Sequence, residues 1–125
     1  MIPKKIRDKI KHAVNELTSN IQDLNDRQEI IAINFGVQRV FDGFELYLTG
    51  HSWYDGGDDL WLFDNEWTPE KNYISLGQSS LEFDRLEILD IYERIVQDDI
   101  ISAKGHYEKL VVVVGLTEGD LKRLK

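Results

Sequence analysis

The chain contains no cysteine, only two prolines and a single methionine among its 125 residues. The missing cysteines exclude a disulfide framework, a thiolate zinc site and a cysteine nucleophile. Long apolar runs are missing too. The longest, residues 110–114, is far shorter than the ~18–20 residues that a membrane-spanning helix needs. We therefore expect no membrane-spanning helix.

The remaining composition is that of an ordinary globular chain, with 42% hydrophobic and 30% charged residues. A chain of this length fits a single domain, residues 1–125, which can fold without a metal or a disulfide. The N-terminus carries Lys4 and Lys5, but no apolar segment of signal-peptide length follows them. We expect a cytoplasmic protein without a leader.

Negative charge is concentrated in the middle of the chain. The formal net charge is −8, and residues 28–103 alone hold sixteen acidic against four basic side chains. Nucleic acids and anionic membranes require positive surface, so neither is expected as the main partner. A field of this sign instead speeds association with a basic protein.

Hydrophobic periodicity predicts an α+β fold. Apolar residues recur at steps of three and four from Ile6 to Leu24, which predicts an N-terminal helix. Strand-like segments separated by turn signals predict a four-stranded antiparallel meander at residues 29–39, 44–52, 60–67 and 73–77. A long helix capped by Ser79 or Ser80 is expected to about residue 101. A fifth, buried strand at 107–115 and a short C-terminal helix at 118–124 complete the prediction.

The segment 51–67 holds all three tryptophans and five carboxylates. If Leu60 and Leu62 point to the core, Trp61 and Phe63 lie on the opposite face of a strand. Either a helix covers these rings, or they belong to an aromatic and acidic recognition surface. The second interpretation gives eight candidate partner-binding residues: Trp53, Tyr54, Asp55, Asp58, Asp59, Trp61, Asp64 and Glu66. The aromatic residues would anchor the partner, and the carboxylates would contact its lysines and arginines.

Motifs for catalysis and for cofactors are missing. The chain has no nucleophile motif and no glycine-rich phosphate loop. Asp55, Asp58, Asp59 and Asp64 with His51 could supply hard metal ligands, but their spacing does not fit a calcium-binding loop. We therefore predict no catalytic residue, no metal and no cofactor.

The block at residues 53–61 and the acidic helix at 81–99 carry a resemblance. With its size and its cysteine-free α+β layout, the chain resembles the small acidic immunity proteins of bacterial contact-dependent inhibition and related polymorphic toxin systems. The resemblance implies a protein that binds a cognate toxin, often a basic nuclease, and blocks its active site or substrate surface. It assigns no functional residue by position.

Two other functions stay open. One is a small hydrolase or ligand-binding domain with a pocket lined by Trp53, Trp61 and Trp67, in which Glu45 or Asp64 acts. The other is an adaptor that forms a homodimer through a self-complementary aromatic face.

Overall fold

The computed structural model describes residues 4–117 and 121–125, apart from the side chain of residue 25. In chain order its elements are α1 (Lys4–Leu17), a 3-10 turn (Ile21–Asp26), β1 (Ala32–Val40), β2 (Gly43–His51), a 3-10 turn (Asp59–Phe63), β3 (Tyr73–Ser75), a 3-10 turn (Gln78–Glu82), α2 (Arg85–Ser102), α3 (Lys104–Tyr107), β4 (Val111–Leu116) and β5 (Leu121–Arg123). None of the helices in these ranges is long and apolar enough to cross a membrane.

The strands form one mixed sheet in the order β3-β2-β1-β4-β5. β1, β2 and β3 pair antiparallel, as a meander does. β4 runs parallel to β1 because the chain crosses over through α2 before it returns to the sheet, and β5 pairs antiparallel with β4. The predicted α+β class is confirmed, whereas the sheet is mixed and its antiparallel meander has three strands instead of four.

One face of the sheet packs against α1 and α2. The predicted alternation of β2 is confirmed, since Phe44, Leu46 and Leu48 point together into the large core cluster. α2 contributes Tyr92, whose ring meets Phe35 of β1 edge to face at 6.0 Å between centroids. This layer fixes the sheet and leaves the opposite face for the segment between β2 and β3.

β4 is buried on both faces, as its uninterrupted run of valines predicts. Val112 and Val114 belong to the large cluster beneath the helices. Val113 points the other way and packs in a small second cluster with Ala32 and Trp61. The second face of the sheet is therefore covered as well, and a loop provides the cover.

The predicted strand at residues 60–67 is wrong. Residues 59–63 form a 3-10 turn, and within the described ranges the segment pairs with the sheet through one isolated bridge, between Gly50 and Trp67. The Asp58 side chain accepts a hydrogen bond from the backbone N–H of Leu60 at 2.8 Å and so caps the turn. The turn also inverts the predicted burial, because Leu60 is 56% exposed and Trp61 only 1%.

The predicted C-terminal helix is also corrected. Leu121–Arg123 form β5, with Leu121 paired to Gly115 at the edge of the sheet. Residues 118–120 lie outside the described residues. A strand forms here because β4 would otherwise present unpaired backbone groups along its outer edge. The hydrogen bonds of this pairing outweigh the weak local preference of the segment for a helix.

Both long helices are shorter than their apolar patterns suggest. α1 ends at Leu17, and the buried Ile21 and Leu24 belong to the following 3-10 turn. α2 begins after Asp84, which forms a capping box with Glu87, instead of after Ser79 or Ser80. The Ser80 hydroxyl is already committed elsewhere: it donates to the Gly77 carbonyl at 2.6 Å and accepts from the Phe44 N–H at 2.9 Å.

Candidate functional site

The candidate site is the segment between β2 and Trp67, residues 52–66, which we call the acidic loop. Its two ends meet at Gly50. The Gly50 N–H donates to the Trp67 carbonyl at 2.7 Å, and the Gly50 carbonyl accepts from the Glu66 N–H at 2.9 Å. A Cβ atom at Gly50 would lie 3.0 Å from the Cβ of Trp67, so glycine permits this close approach. The loop is thus closed on itself and fixed to the sheet.

Trp61 holds the loop onto the sheet. Its ring packs on Ala32 and Val113 and meets two more rings edge to face, His51 at 4.8 Å and Tyr54 at 5.0 Å between centroids. The prediction that Trp61 offers an exposed anchor to a partner is therefore wrong. Its ring is the loop's own core, because a 3-10 turn brings it inward where a strand would have turned it out.

His51 forms a second attachment. Its Nδ1 lies 3.0 Å from the Asp64 carbonyl, which can only accept, so Nδ1 carries the proton and donates. Nε2 then accepts from the Thr49 hydroxyl at 2.8 Å. Burial lowers the pKa of His51, against the opposing effect of the backbone carbonyls and of Glu66 and Asp64. The neutral imidazole therefore holds the far side of the loop to β2.

Two of the three predicted aromatic anchors remain at the surface. Trp53 is 37% exposed, and its Nε1 donates to the Asp64 carboxylate at 3.0 Å. Tyr54 is half-buried between Trp61 and Arg123, whose guanidinium lies 5.4 Å from the centre of the Tyr54 ring. These two of the three predicted anchors are at positions where a partner can touch them.

Five carboxylates project from the acidic loop, and all are exposed: Asp55, Asp58, Asp59, Asp64 and Glu66. Four of them accept hydrogen bonds from within the loop; the donors are the backbone N–H groups of Gly57 and Leu60, Trp53 Nε1 and Ser52 Oγ. Across residues 4–117 and 121–125, none of the five has an ion pair with a lysine, arginine or histidine. No described lysine, arginine or histidine therefore lies within ion-pair distance of these carboxylates.

The acids of α2 do not join this group. α2 packs on the face of the sheet that carries the large cluster, and the acidic loop covers the other face. The acids that the sequence concentrates in residues 28–103 are therefore divided between the two faces of the sheet. Two acids of α2 are also already paired, Asp90 with Arg94 and Glu93 with Lys122.

The arrangement does not favour the tryptophan-lined pocket. Trp67 packs against the large cluster and Trp61 against the small one, on opposite faces of the sheet. Glu45 accepts from the Gln38 amide at 3.0 Å, a bond within the β1–β2 pair. In the described part of the chain, no three histidine, aspartate or glutamate side chains converge to hold a metal ion.

Sequence reasoning missed a cleft of about 340 Å³ between the acidic loop and the central strands. Asn34 and Thr49 are opposite each other in the β1–β2 register and both line it. Asp59 and Phe63 line it from the loop. Asn34 could have been noticed as a polar residue inside an apolar strand, but its neighbours follow only from the register and the loop fold.

No family model, curated protein or solved structure matches this chain.

Proposed function

We propose that this chain is an immunity protein that neutralises a cognate toxin by binding its basic domain through the acidic loop, in the cytoplasm and without catalysis of its own. The observation that carries the proposal is the set of five exposed carboxylates without an ion pair to any described cation. Such charges favour a basic partner because they need not first release a partner within the chain.

The rigid attachment of the loop supports the same function. A surface that is already ordered loses little conformational entropy when it binds, and this benefits affinity. Trp53 and Tyr54 supply the exposed aromatic area from which interfaces draw most of their binding energy. Truncation of either ring is expected to weaken binding by about 2–4 kcal/mol, whereas loss of one carboxylate mainly slows association.

The test is capture of a toxin domain encoded by a neighbouring reading frame. The chain and that domain are co-expressed, co-purified and assayed for protection of growth. A loop variant with D55N, D58N, D59N, D64N and E66Q keeps the local hydrogen-bond acceptors and removes the charge. We expect it to lose protection and to associate at least about tenfold more slowly at low salt.

The matched control removes the same charge elsewhere. It carries D42N, E70Q, E82Q, D98N and E108Q, all at exposed positions without an ion pair to a described residue. We expect it to protect like the parent chain. Equal loss of protection in both variants, or no captured neighbour product at all, would refute the role of the acidic loop.

A small hydrolase is the second candidate, and one observation favours it. The Thr49 hydroxyl lines the cleft and donates to the imidazole of His51, which is the geometry of a nucleophile beside a base. Turnover of an activated ester that is abolished by Thr49→Val would support hydrolysis. An equal background rate in Thr49→Val would leave His51 as a loop attachment.

A further inference from the structure

The cleft beneath the acidic loop has the lining of a cation site. It is bounded by the rings of Tyr47, Tyr73 and Phe63, and Asp59 is the one carboxylate among its described lining residues. No lysine, arginine or histidine is found among those residues. Tyr73 and Phe63 are well exposed, at 55% and 80%, so both rings are open to a ligand.

Asn34 gives the independent observation that the cleft is built for a ligand. It is only 3% exposed, and its Oδ1 has no hydrogen-bond partner among the described residues. Buried side-chain acceptors are nearly always hydrogen-bonded, so one without a partner calls for a donor. This oxygen is closed off from solvent, so a ligand N–H must displace part of its cover to reach it.

We propose that the cleft receives the guanidinium of an arginine side chain from the partner. The inference rests on the proposed function, because it names the group by which a basic domain would enter this site. A guanidinium carries five N–H donors in a plane, so it can donate to an amide oxygen and to a carboxylate at the same time. Its flat faces stack on aromatic rings such as those of Tyr73 and Phe63.

Neither a lysine nor a neutral analogue meets the same requirements. A lysine ammonium is a compact, strongly hydrated charge without a planar face, so it stacks poorly. A citrulline side chain has the shape of arginine but lacks the charge that Asp59 would pair with. Arginine, lysine and citrulline therefore form a series that separates stacking, charge and hydrogen bonding.

The experiment titrates the full chain, labelled with ¹⁵N, with N-acetyl-arginine amide, N-acetyl-lysine amide and N-acetyl-citrulline amide. We expect shifts of the Asn34 side-chain NH₂ and of the Thr49 backbone signal, and about tenfold tighter binding of the arginine compound than of the other two. Equal binding of all three compounds, or shifts confined to residues outside the cleft, would overturn the inference.

Two variants and one control make the result specific. Asn34→Leu removes the buried acceptor. Asp59→Asn removes the charge at an exposed position, so it still tests the site if Asn34→Leu fails to fold. Each should weaken arginine binding about tenfold. Asp42→Asn makes the same charge change at an exposed position outside both the acidic loop and this cleft, and should leave binding unchanged. An Asp59→Asn chain that binds arginine like the parent chain counts against the site.

The two proposals fail in different ways. If the chain captures a basic domain but shows no arginine-specific shifts, the cleft inference is overturned and the proposed function stands. If the arginine compound binds at Asn34 but no basic domain is captured, the proposed function fails and only the arginine-binding property of the cleft stands.

Discussion

Replacement of Trp61 by alanine should detach the acidic loop from the sheet. The indole is fully buried against Ala32, Val113 and two aromatic rings. Its removal leaves a cavity that the loop cannot fill, because both ends of the loop are hydrogen-bonded to the sheet. Substitutions of this kind cost about 3–5 kcal/mol. A domain of this size has a total stability of about 5–15 kcal/mol, so the variant loses a large share of it.

The magnitude translates into a thermal shift. The entropy of unfolding is about 2.1 cal/mol/K per residue, which gives roughly 0.26 kcal/mol/K for a chain of this length. The expected loss for Trp61→Ala then corresponds to a melting temperature lower by roughly 10–20 °C. Urea denaturation followed by far-ultraviolet circular dichroism gives the free energy of unfolding independently of the thermal scan.

The matched control lies on the same loop. Phe63 is 80% exposed, and Phe63→Ala should change the free energy of unfolding by no more than about 0.5 kcal/mol. If Trp61→Ala lowers the free energy of unfolding by less than about 1 kcal/mol, or by no more than Phe63→Ala does, the indole does not hold the loop on the sheet. The assignment of Trp61 to a second core would then be refuted.

Three further substitutions or conditions test other parts of the fold. Because burial lowers the pKa of His51, the unfolded chain gains a proton near pH 6.5 that the folded chain does not, so stability should fall with pH below that point. The free energy of unfolding falls by at most about 1.4 kcal/mol per pH unit until the pKa of the folded chain is reached. Urea denaturation at pH 7.5 and at pH 5.5 should show a smaller difference in the free energy of unfolding for His51→Gln than for the parent chain. Gly36→Ala places a Cβ into the ring of Tyr47 and should cost about 1–3 kcal/mol by urea denaturation, and an unchanged midpoint would contradict that overlap. Asp84→Ala removes the capping box of α2 and should cost about 1 kcal/mol, whereas Asp84→Asn should retain most of it in the same assay.

The sequence predicted those elements whose pattern and surroundings agree. The stripe from Ile6 to Leu17 faces the sheet as expected, and the valines of β4 are buried on both sides. The strand prediction for residues 60–63 was wrong because a run of four apolar residues fits a strand and a 3-10 turn equally well. Which of the two conformations forms depends on the packing of Trp61 in the second core, and that packing exists only in the tertiary structure.

The candidate site was predictable only in part. Its carboxylates could be found from composition, and their exposure follows from the turn-rich sequence around Gly56. Asn34 and the cleft could not be found, because they depend on which residue of β2 lies opposite Asn34 and on a loop that folds back over both strands. The role of Trp61 was misjudged for the same reason, since the loop supplies its own cover.

The separation of the two acidic groups by the sheet bears on which of them could meet a partner. Three acids at α2 already have a partner in the fold: Asp84 caps the helix, Asp90 pairs with Arg94, and Asp99 accepts from the Tyr107 hydroxyl of α3. Removing the charge of Asp90 or Asp99 therefore weakens an interaction within the chain. The carboxylates of the acidic loop accept hydrogen bonds that an amide oxygen accepts equally well, so their charge contributes little that the fold requires. Charge that a fold does not use is the charge most readily available to a partner, and it lies on the face opposite α2.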